Sequence, residues 1–81
     1  MIPTKNDPLW RTILFDNRKR EFTALPTKML MMRITLMVSD GTPEKIEEAI
    51  SIAHDFFQKN QGIVKKDIEL LFGKNENGQG R

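Results

Sequence analysis

The spacing of apolar residues between Pro43 and Lys59 constrains this chain more than any other feature. Ile46, Ala49, Ile50, Ala53, Phe56 and Phe57 recur at the i, i+3, i+4, i+7 intervals of one helix face. Thr42 precedes the run as a helix cap, and Pro43 suits the first helical position. Glu44, Glu47 and Glu48 lie toward the positive end of the helix dipole and Lys59 at its negative end, with Gly62 just beyond. A helix with one apolar stripe has to bury it against another element. The question for the rest of the chain is therefore what covers that stripe.

Ile63 to Phe72 reads as a shorter helix, with Val64, Ile68 and Leu71 on one face and Gly73 closing it. Leu9–Phe15 and Arg20–Leu25 are rich in aromatic and β-branched residues, and the turn-forming Asp16-Asn17 lies between them. These segments predict a β-hairpin. Pro26–Val38 supports two readings. As a helix it is apolar nearly all round. As a strand it places Leu30, Met32, Ile34, Leu36 and Val38 on one face, and Met29, Met31, Arg33, Thr35 and Met37 on the other. The strand partitions polar from apolar residues more cleanly, so the expected fold is α+β: an N-terminal antiparallel hairpin with a third strand, packed on two C-terminal helices. The rival order replaces that third strand with a helix. Residues 9–73 are expected to form a single domain. Residues 1–8 and 74–81 hold too little apolar surface to offset the entropy of ordering and are expected to be disordered tails.

A foldable stretch of this size buries a modest fraction of its unfolded surface. The chain has no cysteine to staple it. Self-association is the remaining source of stability, so a homodimer is expected. No signal peptide is visible, and the longest mostly apolar run, Met29 to Val38, is too short to cross a bilayer. A cytoplasmic protein with no membrane partner is the expectation. The formal charge of +2 does not by itself imply nucleic acid. Its distribution is uneven: seven Lys/Arg against four Asp/Glu in residues 1–42, and six against seven in residues 43–81.

Few residues could carry chemistry. His54 is the sole histidine, and Cys and Tyr are absent. A nucleophile–base pair therefore has one candidate base and no thiol. His54 falls on the flank of the 43–59 stripe, the position of a half-buried boundary residue. Gly41, Gly62 and Gly73 punctuate helix ends and form no phosphate-binding loop. No catalytic residue, metal site or cofactor is expected, and the chain is read as a non-enzyme. Four of its five methionines lie within Met29–Met37. Methionine fills irregular cores and also serves adaptable binding surfaces. Met29, Met31 and Met37 are the candidate protein-interaction residues.

Arg18-Lys19-Arg20 is the densest basic cluster, with Arg11, Lys28 and Arg33 in the same half of the chain. Together they are the candidate contacts for nucleic-acid phosphates. Two resemblances bear on this. Arg33-Ile34-Thr35-Leu36-Met37-Val38, followed by a helix from Pro43, resembles the opening of a ribbon-helix-helix repressor. That likeness implies a dimeric strand with Arg33, Thr35 and Met37 directed into the DNA major groove. The connection to the helix is longer than that family's, and the second helix lacks a Ser/Thr cap. Phe56–Gly73 (FFQKNQGIVKKDIELLFG) is similar to the helix, turn and helix of winged-helix response regulators, without their C-terminal wing. The expected function is that of a small non-catalytic regulator binding DNA as a dimer. The alternative is a protein–protein adaptor module that uses the Met-rich segment and a helix face.

Overall fold

The computed structural model describes residues 2–15 and 21–73. Four helices form there: α1 (Leu9–Leu14), α2 (Leu25–Val38), α3 (Pro43–Lys59) and α4 (Lys65–Phe72). No strand is present among the described residues, so the expected α+β fold is replaced by an all-helical one.

The hairpin gives way first. Leu9–Leu14 is helical because Trp10, Ile13 and Leu14 stand at i, i+3 and i+4, and all three are buried. The chain turns into this helix at Asp7, whose Oδ1 accepts a hydrogen bond from the Leu9 amide at 2.8 Å. An isolated helix of six residues would not persist in water, so tertiary burial of the Trp10 face holds it. The turn proposed between the two strands, at Asp16-Asn17, lies outside the described residues.

The third strand is helix α2. Pro26 sits in its first turn, where a missing amide costs nothing. Thr27, Leu30, Ile34 and Val38 form one buried stripe at i, i+3, i+7 and i+11. Two members of the expected strand face, Met32 and Leu36, instead point to solvent. Alternation fails here because no neighbouring strand is present among the described residues to satisfy an extended backbone, and leucine and methionine favour helix.

Residues 39–42 join α2 to α3 in a tight connection. The Gly41 amide donates to the Val38 carbonyl at 3.0 Å, and Gly41 has a φ of +77° that side chains seldom adopt. Thr42 then caps α3 as expected, its Oγ1 accepting from the Lys45 amide at 3.3 Å. So short a link makes α2 and α3 neighbours, and they form the most extensive helix pair in the molecule. Helix α3 ends at Lys59, where Asn60 returns both its backbone amide and its Nδ2 to the Phe56 carbonyl. The turn through 60–64 leads into α4.

The core lies where the four inward faces meet. Trp10 from α1, Ile34 from α2, Ala49, Ala53 and Phe57 from α3, and Val64 and Ile68 around α4 are almost wholly buried. At one end the aromatic rings stack edge to face. Trp10 and Phe72 centroids lie 5.1 Å apart at 70°, and Phe57 and Phe72 lie 5.8 Å apart at 89°. Residues 2–8, read from sequence as a tail, lie against this end of the molecule. Ile2 packs on the core, the Pro3 carbonyl accepts from Trp10 Nε1 at 3.2 Å, and Lys5 reaches Ser51 and Asp55. Residues 74–81 lie outside the described region. No described helix is long and apolar enough to cross a membrane.

Candidate interaction surface

Helix α2 is apolar on two opposite sides. One side is the core stripe of Thr27, Leu30, Ile34 and Val38. The other carries Leu25, Met29, Met32 and Leu36, which remain 65, 61, 70 and 75% exposed. At about 100° per residue these four fall within a stripe roughly 60° wide, centred opposite Ile34. Their spacing is 4, 3, 4, which is the a/d spacing of a heptad seam. Lys28 flanks the seam on one side and Arg33 on the other, both exposed. No acidic residue occurs between Phe22 and Ser39. Beside the Arg33 flank, Pro26, Met29, Leu30, Arg33 and Phe56 line an open groove of about 500 Å³ between α2 and α3.

The sequence-derived candidates divide on this surface. Met29 belongs to the seam. Met31 and Met37 are half-buried and pack against the core, so they act as filler there. The seam residues that sequence reasoning missed are Leu25, Met32 and Leu36. The signal for them is the 4-3-4 spacing, which becomes visible once the segment is read as a helix. Lys28 and Arg33 sit together with the seam. Arg11 does not: it lies on α1 in an exposed ion pair with Glu47 of α3. Arg18, Lys19 and Arg20 lie outside the described residues. The strand that would have directed Arg33, Thr35 and Met37 into a DNA groove is absent, since all three are on α2. Phe56–Gly73 does form a helix, a turn and a helix, but Ile68 and Leu71 of α4 face the core.

His54 rests at the edge of the core. Its ring meets Trp10 edge to face, with centroids 6.2 Å apart, and its Nδ1 lies 3.4 Å from Asp55 Oδ1. The His54 hydrogen bond, followed by the Lys5 charge, holds the exposed Asp55 carboxyl below the usual range. Among the described residues, no group of three His, Asp or Glu side chains is placed to hold a metal ion.

Among the described residues the one buried carboxylate is Asp67, 1% exposed, in the first turn of α4. Its Oδ1 accepts from the Thr23 amide at 2.8 Å and from Thr23 Oγ1 at 3.2 Å, and its Oδ2 accepts from the Ala24 amide at 3.1 Å. Ala24 is the cap residue of α2 and has no side-chain acceptor of its own. Asp67 therefore supplies, from another helix, the anion that the positive end of α2 favours. Burial pushes its carboxyl up, but the hydrogen bonds from Thr23 and Ala24 outweigh burial and hold it below the usual carboxylate range. The Thr27 hydroxyl is buried beside it without a hydrogen-bond partner. This carboxylate is a fastener between α4 and α2, its oxygens taken up by two backbone amides and the Thr23 hydroxyl.

Comparison with protein-family models, with curated proteins and with solved structures finds no match for this chain.

Proposed function

We propose that this protein is a non-catalytic interaction module that docks a partner helix on the outer face of α2. The observation that carries the reading is the second apolar stripe of α2. Four large side chains at heptad spacing face solvent on a helix whose other side is already satisfied by the core. Core packing gives no reason for leucine or methionine at those positions, whereas helix-in-groove recognition uses such a row of anchors. Methionine suits it because its side chain adapts to the partner's shape. The adjoining groove extends the apolar surface on the Arg33 side.

The reading as a DNA-binding regulator keeps basic residues as its support and loses the groove-reading strand. Lys28 and Arg33 flank an apolar seam, and the four large apolar side chains between them suit a docked helix better than a phosphate backbone.

A synthetic amphipathic helix with leucine at its seam and glutamate at its flanks tests the docking reading by calorimetry. Binding is expected to weaken at least tenfold in Met32→Glu, while Phe15→Glu, exposed just past the end of α1, binds normally. Equal binding by both variants would overturn the α2 assignment. Binding to a DNA duplex that falls steeply with salt and is lost in Lys28→Gln/Arg33→Gln would favour the nucleic-acid reading instead.

A further inference from the structure

We infer that the α2 seam is occupied by a second copy of this chain, with the two α2 helices antiparallel. The inference rests on the docking reading and names its partner. Its first support is the symmetry of the spacing. Leu25, Met29, Met32 and Leu36 are separated by 4, 3 and 4 residues, an order that reads the same in both directions. A twofold axis between Met29 and Met32 therefore sets Leu25 against Leu36 of the second copy and Met29 against Met32 of the second copy. Each pair occurs twice, and no seam residue is left over. This is the self-complementarity that an isologous interface requires.

The second support is charge. In a parallel pair the flanks cross from one helix to the other, so Lys28 of each copy would face Arg33 of its mate, setting like charges together twice. In an antiparallel pair each flank faces its own kind. Lys28 then lies across from Thr35 of the second copy, and Arg33 across from Pro26 of the second copy. The seam is thus compatible with itself in one direction only. Antiparallel packing also sets the positive end of each helix beside the negative end of the other.

The area involved is modest. Four such side chains from each copy bury on the order of 1,000 Å² in total, near the lower limit for a specific interface. An interface at that limit is expected to be a reversible one, populated according to protein concentration. A small chain without cysteines gains stability from it by mass action.

Sedimentation equilibrium on the full chain tests the dimer. The apparent mass is expected to rise from 9.4 kDa toward twice that value over micromolar to millimolar protein, and to stay at 9.4 kDa in Leu36→Asp. Because the chain has no cysteine, direction can be read separately. Mixing Leu25→Cys with Leu36→Cys under mild oxidation is expected to give the mixed disulfide. Neither variant should cross-link with itself, since the like positions lie about 16 Å apart along the axis. Self-linking of Leu25→Cys would overturn the antiparallel arrangement. A chain that stays monomeric at millimolar concentration yet binds the glutamate-flanked helix would overturn the second copy and leave the docking reading standing. A monomer that binds neither would overturn both.

Discussion

Replacing Asp67 with alanine leaves the amides of Thr23 and Ala24 without their acceptor, at a cost of about 1–3 kcal/mol for each that stays dry. Chemical denaturation should register that loss. The pH dependence follows from the direction of its shift. The folded state holds this carboxyl below its ordinary value of about 3.8, so its contribution is full above about pH 4 and disappears as pH falls through the folded value. Asp67→Asn is expected to be less stable at neutral pH and to lose less stability on acidification. An acid limb identical to wild type would show that the carboxylate is not held by these donors. Two adjacent aromatics give a second test. Phe57 is fully buried and Phe56 only partly. Phe57→Ala is expected to cost about 3–5 kcal/mol, and Phe56→Ala clearly less. The apolar period of α3 placed both on the inward side, but it could not rank them. The ranking depends on Trp10 and Phe72, which close over Phe57 from distant parts of the chain.

Helix α3 was legible in the sequence because its cap, dipole charges and apolar stripe all agree, and α4 because its face and closing glycine do. Helix α2 was not. A segment apolar on two sides satisfies the strand pattern as well as the helix pattern, and neighbours decide between them. Helix α1 was missed because six residues rich in aromatic and β-branched side chains match strand preference, while the Trp10, Ile13, Leu14 spacing is too short to stand alone. The seam is hidden for the same reason: a strand puts Met29 and Met32 on opposite faces, and only a helix gives them a common stripe. Substitutions along α2 should therefore separate by side. Met32→Glu and Leu36→Asp are expected to change the stability of dilute protein by no more than about 0.5 kcal/mol. Ile34→Ala, on the core side, is expected to cost about 2–5 kcal/mol. Thermal melts at low concentration make the comparison.

For the molecule as a whole, the N-terminal segment closes the aromatic end of the core. Removing residues 1–7 deletes the Pro3 carbonyl that accepts from Trp10, the Ile2 contact with the core, and the Asp7 carboxylate that accepts from the Leu9 amide. The truncated chain is expected to melt lower by several degrees, and an unchanged melting temperature would show that this segment contributes nothing to stability. The sequence gives little notice of that role, because two prolines and several polar residues resemble a tail and the indole partner lies seven residues away. The two-sided helix is the claim on which fold and function both depend, and four methionines report on it directly. With methyl-labelled methionine and a dissolved paramagnetic agent, dilute protein is expected to show strong broadening at Met29 and Met32 and weak broadening at Met31 and Met37. Raising the concentration should protect the first pair. Broadening that instead groups Met29 with Met31 and Met37, and sets Met32 apart, would mean an extended segment and would contradict the helix, the seam and the proposed pairing together.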